Sequence, residues 1–184
     1  ILVVHQFGIP ADMTAIMEIA NRYSLKVIED CAQAHGAKYH DKYVGTFGDI
    51  GVFSLNVNKS IQSGEGGVCV VNDDELAYRL ALIRNHGEAV VGPAEYNQIT
   101  NIAGFNFRLT ELQASIAREQ MKKLDRFNAC RLELVDSLSK QLNGHPFLRP
   151  PHGRSNCHST YYVYPLRFQA TNAGVNREQF VTAL

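Results

Sequence analysis

A carboxylate, a hydroxyl and a lysine stand at the ends of apolar runs in the first third of this 184-residue chain. Asp30 follows Leu25-Lys26-Val27-Ile28, Ser54 lies within Ile50–Leu55, and Lys59 comes just beyond it. His5 and Gln6 follow a first run, Ile1–Val4. Behind Lys59 comes a polar turn, Gly64-Glu65-Gly66-Gly67, where dense glycine signals close backbone approach or positive φ. Singly, each residue has an ordinary reading: Asp30 as a helix cap, Ser54 satisfying a buried carbonyl, Lys59 as a solvated charge. Together they suit pyridoxal phosphate chemistry. Its aldehyde needs a lysine amine for a Schiff base, the role that fits Lys59. Its pyridine nitrogen needs a carboxylate to stay protonated, which fits Asp30. Its phosphate needs hydroxyl and N–H donors, among which Ser54 is a candidate.

These residues converge only if the runs are neighbouring strands of a parallel sheet, because such sheets bind ligands at their carboxyl edge. The pattern supports that. Ile1–Val4 reads as a buried strand, and a helix opening after Pro10 carries Ile16, Met17, Ile19 and Ala20 on one face up to Tyr23. Leu25–Ile28 reads as the next strand, completing a βαβ unit. Residues 37–39 and 43–45 read as a small hairpin, and Ile50–Leu55 and Val68–Val71 as strands around the lysine turn. Asn72-Asp73-Asp74-Glu75 caps a helix through Arg84, which His86-Gly87 ends. Residues 88–101 read as a long loop. A helical rhythm then runs from Thr110 to about Leu142, and Gly144-His145-Pro146 and Pro150-Pro151 mark a break. Thr160–Phe168 reads as a strand, and Asn176 caps a closing helix. The expected division is residues 1–109 as part of a large α/β domain, 110–143 as a long linking helix and 144–184 as the start of a small α+β domain.

Composition narrows the function class. Lys plus Arg is 18 and Asp plus Glu is 18, so the net charge is zero and no polyanion partner is advertised; nucleic-acid binding is not expected. The four cysteines, Cys31, Cys69, Cys130 and Cys157, are scattered without a CxxC pair, so neither a zinc site nor a disulfide framework is indicated. Free thiols suit a reducing cytoplasm. No run suits a membrane span or a signal peptide. The chain opens in an apolar run without an initiator Met and closes inside an expected helix, and it is read as a fragment.

The residues also resemble a known family. Ile28-Glu29-Asp30-Cys31-Ala32-Gln33-Ala34-His35-Gly36 resembles the EDAAQAxG segment of the DegT/DnrJ/StrS sugar aminotransferases. Gly48–Ser54 with the lysine turn resembles the family's GDxGxFSF…K and GEGG blocks, Arg84–Gly87 its RNHG, and Gly104–Ala114 its GYNYRMTELQAA. The blocks keep the family's order from His5 to about Phe127.

This resemblance implies the fold type I of aspartate aminotransferase and a homodimer with shared active sites. It implies transfer of an amino group from glutamate or glutamine to a keto sugar carried on a nucleotide. By the same resemblance Asp30 binds the pyridine nitrogen, Gln33 lies against the ring, Ser54 contacts the phosphate and Lys59 is the catalytic lysine. Asn106 matches an asparagine that reaches the phosphate of the neighbouring subunit's cofactor; its alternative reading is a local helix cap. A phosphate-binding turn and a stacking aromatic of the family's N-terminal third are not in this chain, and Cys31 replaces a usual alanine. The alternatives are a pyridoxal-phosphate-dependent sugar dehydratase, an aminocyclitol aminotransferase, or a truncated, non-catalytic association module. A related dehydratase branch carries histidine at the lysine's place, so Lys59 argues for amino transfer.

Overall fold

The computed structural model describes residues 1–88 and 102–184; most of the loop expected over 88–101 therefore lies outside the described residues. A four-stranded sheet forms its centre, in the order β1 (Leu2–Val4), β2 (Ile28–Asp30), β5 (Ile50–Ser54), β6 (Gly67–Val70). β1, β2 and β5 are parallel, with Val4 opposite Asp30 and Asp30 opposite Val52. β6 runs antiparallel to β5, Ser54 facing Gly67. Because the first three strands point one way, their carboxyl ends present His5, Asp30 and Ser54 along one edge, as the chain order predicts.

Helix α1 (Met13–Arg22) makes the crossover between β1 and β2. Its N-cap is Asp12, whose side chain accepts the Ala15 N–H and the Tyr39 hydroxyl. Met13 and Ala20 drop into the core with Val3, Val27, Ala34, Ala37 and Val44. β2 starts later than its apolar run suggests. The Val27 N–H is taken by the Asp49 carboxylate at 2.8 Å, so pairing begins at Ile28 and Asp30 is the last residue of the strand. The expected hairpin is β3 (Lys38–Tyr39) with β4 (Lys42–Tyr43), turned by His40 and Asp41 at φ 46° and 62°. A distant strand, β8 (Cys157–His158), pairs on the other side of β3.

Two expectations from the second half are corrected. The helical rhythm from Thr110 is two helices, α3 (Glu111–Met121) and α4 (Leu124–Gln141). Lys123 N–H bonds the Gln120 carbonyl at 2.9 Å, a three-residue closure that ends the α-helical ladder. The apolar stripe slips at the same place, stepping five residues from Ile116 to Met121 and then three to Leu124. The strand expected over Thr160–Phe168 shrinks to β9 (Arg167–Phe168), which pairs with β7 (Leu148–Arg149). Tyr161 has φ 46°, which no strand accepts, and Pro165 has no N–H to pair. Helices α2 (Asp74–Arg84) and α6 (Arg177–Thr182) form as expected; Asp73 caps the first and Asn176 the second. Between β9 and α6 lies one short turn of helix, α5 (Ala170–Ala173). Among the described residues no helix is long and apolar enough to cross a membrane.

Candidate active site

Lys59 sits in the loop joining β5 to β6. Leu55 N–H donates to the Gly66 carbonyl at 2.8 Å and Ser63 N–H to the Leu55 carbonyl at 2.9 Å, so the loop is closed at its base. Lys59 N–H donates to the Asn56 carbonyl at 2.9 Å, and Asn56 Nδ2 ties across to Glu65 Oε1 at 2.9 Å. Gly66 takes φ 148°, a backbone conformation that side-chain-bearing residues rarely adopt, and a Cβ there would also press on Leu109 Cδ1 at 2.9 Å. The Lys59 side chain forms no salt bridge among the described residues; its Nζ lies 5.0 Å from the centroid of the Tyr162 ring.

Asp30 and Ser54 end the neighbouring strands. One Asp30 oxygen accepts the Ala32 N–H at 3.0 Å, leaving the other without a partner among the described residues. Ser54 Oγ accepts the Asn56 N–H at 3.3 Å and keeps its O–H to donate. Gln33 Oε1 accepts the Phe7 N–H at 2.7 Å, which leaves the Gln33 amide N–H groups available. Three groups at the sheet edge thus keep unspent donor or acceptor capacity. That capacity is available to a ligand that brings matching donors and acceptors.

Asn106 is exposed and joins Asn85 through an isolated antiparallel bridge. The local capping role does not hold: α3 is capped by Thr110, in a reciprocal box with Gln113. Arg108 Nη1 donates to Asn85 Oδ1 at 2.9 Å, fixing the same corner.

Several residues that frame the site have roles that the quoted motifs do not reveal. Glu29, between two strand residues, is fully buried. Its Oε1 accepts Phe47 and Gly48 N–H, and its Oε2 accepts Gly45 N–H, each at 2.7 Å, and it meets His5 Nε2 at 3.0 Å. Burial alone would raise this carboxyl, but the His5 contact and the three backbone donors outweigh it and hold Glu29 below its ordinary range. His5 Nδ1 accepts the Ala11 N–H, so His5 carries its proton on Nε2. Cys31 completes a buried trio with His5 and Glu29. Burial, with the Glu29 and Asp30 charges, pushes its thiol far up. Both His5 nitrogens and both Glu29 oxygens are engaged in these bonds, so the pair braces loop 45–48.

His35 is buried and its Nε2–H donates to the Ser54 carbonyl at 2.8 Å; its Nδ1 has no partner among the described residues. Burial first, then the charges of Lys59 and Arg131, lower its pKa against the opposing Ser54 bond, so it is neutral. Asn128 Nδ2 donates to the His35 carbonyl at 3.0 Å and its Oδ1 accepts from Arg131 at 2.9 Å. An apolar cavity of about 430 Å³ is walled by His35, Phe53, Leu55, Val68 and Leu124, among others, but by none of Asp30, Gln33, Ser54, Lys59 or Asn106.

A parallel-stranded α/β scaffold, with a lysine on the β5–β6 loop that has no salt bridge among the described residues and a carboxylate at the end of the adjacent strand β2, carries the donor set that a Schiff-base-forming transferase needs. The chain belongs to the DegT/DnrJ/EryC1/StrS aminotransferase family, whose model matches residues 1–184, the weakly patterned stretch past Gly144 included. It is 42% identical over 143 residues to GDP-perosamine synthase of Escherichia coli O157:H7, covering 78% of this chain and 38% of that protein. It is 38% identical over 173 residues to L-glutamine:2-deoxy-scyllo-inosose aminotransferase of Streptomyces kanamyceticus, covering 89% of this chain and 40% of the relative. Among solved structures, S. venezuelae DesV in complex with a ketimine intermediate superimposes with a TM-score of 0.85 at 33% identity, over 98% of this chain and 46% of that one. E. coli GDP-4-keto-6-deoxy-D-mannose-3-dehydratase with bound hydrated PLP gives 0.86 at 28% identity, over 98% and 49%. The fold is that of these enzymes, and the chain spans less than half the length of each.

Proposed function

We propose that the protein of which this chain is part is a pyridoxal-phosphate-dependent aminotransferase that moves an amino group from glutamate or glutamine to a keto sugar carried on a nucleotide. The observation that carries the reading is the unspent pair at the sheet edge, the Lys59 amine and one Asp30 oxygen, in a chain of an aminotransferase family. The donor set fits the cofactor: an amine for its aldehyde, a carboxylate oxygen for its ring nitrogen, and the Ser54 hydroxyl for its phosphate.

Bound pyridoxal phosphate supplies an electrophilic carbon and a ring that withdraws electrons. Asp30 would hold the ring nitrogen, with its other oxygen pinned by Ala32 so that the carboxylate cannot swing away. Gln33 would lie against the ring, its amide fixed by Phe7. Lys59 would hold the cofactor through its amine and, once free, would take up and release a proton at Nζ as a general base and acid. Asn106 would reach the cofactor phosphate of a partner subunit, making a homodimer with shared sites, and the free thiols suit a cytoplasmic enzyme.

Lysine at 59, where the dehydratase branch carries histidine, supports amino transfer. A second acceptor class, cyclic ketones such as 2-deoxy-scyllo-inosose, is supported by the names of three relatives. Borohydride reduction of the cofactor-loaded full-length protein, with peptide mapping, tests the lysine; label on any other lysine would falsify the assignment. Product analysis with glutamine or glutamate and each acceptor class decides the substrate, and a deoxygenated, non-aminated product would overturn amino transfer.

A further inference from the structure

The segment just after β8 comes from the far end of the chain and lies over the candidate site. Thr160 N–H donates to the Gly8 carbonyl at 2.8 Å, and Arg131 reaches the Thr160 carbonyl at 3.5 Å. Ser159 and Thr160 are buried. The fit against the loop after β1 is tight. Gly8 sits at φ 81°, and a Cβ there would lie 2.7 Å from Thr160 Oγ1 and 2.9 Å from both Tyr161 N and the Gln33 carbonyl. Tyr161 is held in the left-handed region, at φ 46°, where a bulky side chain is rare. Left-handed backbone at a non-glycine persists only where the surroundings over-determine it. Here the bend turns the next side chain, Tyr162, onto Lys59, with the ammonium 5.0 Å from the ring centroid.

We infer that Tyr162 is a further residue of the active site, a positioning residue whose ring holds the free Lys59 amine. The inference rests on the reading of Lys59 as the cofactor lysine. A lysine that alternately bonds and leaves a carbonyl needs a resting place for its ammonium. A carboxylate there would pair with it strongly and hold it back. The face of an aromatic ring attracts the cation more weakly and offers no proton acceptor in line. Among the described residues no acid forms a salt bridge with Lys59, while Tyr162 is in cation–π range. The hairpin β3–β4 and strand β8 form one three-stranded sheet, so the segment carrying Tyr162, which follows β8, is tied to the hairpin that leads into loop 45–48.

The test uses the full-length protein with Tyr162→Phe and Tyr162→Leu, and Tyr162→Met if the leucine variant does not fold. The first readout needs no cofactor: the rate at which Lys59 is acetylated by acetic anhydride in the apo protein, measured by peptide mapping against the other lysines. Tyr162→Phe should match wild type within about twofold, and Tyr162→Leu or Met should label about two- to fivefold faster, the range a partly exposed cation–π contact sustains. The second readout is amino transfer, where the leucine variant should lose kcat with little change in the acceptor's KM while phenylalanine rescues it. Wild-type labelling in Tyr162→Leu or Met, or equal disturbance in Tyr162→Phe, overturns the inference. Failure of wild-type protein to couple cofactor at Lys59 would instead overturn the proposed function, with the labelling result still deciding Tyr162.

Discussion

His5 Nε2 and Glu29 Oε2 lie 3.0 Å apart with both side chains fully buried, joining the end of β1 to the middle of β2. The pair is the hub of a bonding set that leaves no Glu29 lone pair wasted: three loop N–H groups and the His5 N–H share two oxygens. A buried carboxylate is tolerated only when satisfied in this way.

Glu29→Gln keeps the shape but turns one acceptor into a donor. If the amide takes the Oε2 place, it faces Gly45 N–H and His5 Nε2–H, and both lose their acceptor. The expected loss is about 3 kcal/mol, from two orphaned buried donors and a lost charge. Urea unfolding measures it. Because Glu29 is held below its ordinary value of 4.5, its stabilisation is present above that pH and is lost as pH falls through the folded-state value. The variant should therefore lack that part of the acid dependence.

His35 gives a second pH signature at higher pH. Its pKa is lowered from 6.5, so the unfolded chain binds the proton more readily than the native one. Native stability due to His35 is complete above 6.5 and declines as pH falls from there toward the folded-state value. The slope from one proton reaches at most about 1.4 kcal/mol per pH unit. Unfolding free energies of wild type and His35→Gln should diverge least at pH 5.5 and most at pH 7.5; parallel curves would show that His35 does not titrate between the two states.

Gly8→Ala puts a Cβ into the contact with Thr160 and Gln33 at a positive φ. A cost of about 2 kcal/mol is expected, from strain and overlap with backbone that cannot easily give. Thermal unfolding reads the loss. Hydrogen exchange should show faster amide exchange at Thr160 than at Val52 in the central sheet.

Asn106 is exposed in the single chain and does not cap α3, which frees its side chain for a partner. Mixing full-length Lys59→Ala with full-length Asn106→Ala should restore part of the activity, since each mixed dimer holds one site with both defects and one with neither. No recovery, with subunit exchange demonstrated, would place Asn106 in its own chain's site.

What the sequence discloses here is what lies close along the chain. The βαβ unit, the lysine turn and the Asn176 cap are set by local periodicity and capping chemistry, and each forms, although β2 moves from the expected Leu25–Ile28 to Ile28–Asp30. The three strand-end groups Asp30, Ser54 and Lys59 follow from the parallel arrangement alone. Glu29 is invisible because a carboxylate in a strand reads as surface until the loop that surrounds it is seen. Tyr162 is invisible for a different reason: its run reads as a strand, and only the contact between Thr160 and Gly8 shows why the backbone abandons that course. The break after Met121 was legible in the slipped apolar stripe, although no proline or glycine marks it.

The antiparallel pairing of β5 with β6 has a consequence in time. The lysine loop is closed by strands adjacent in sequence, a short-range closure with a small entropic cost. Tyr162 lies about a hundred residues further on, and contacts of such separation form late. As the chain leaves the ribosome, residues 50–70 emerge with both strands of the hairpin, while the segment that will cover the amine has yet to be synthesised. The reactive group is thus set in its loop first and roofed last.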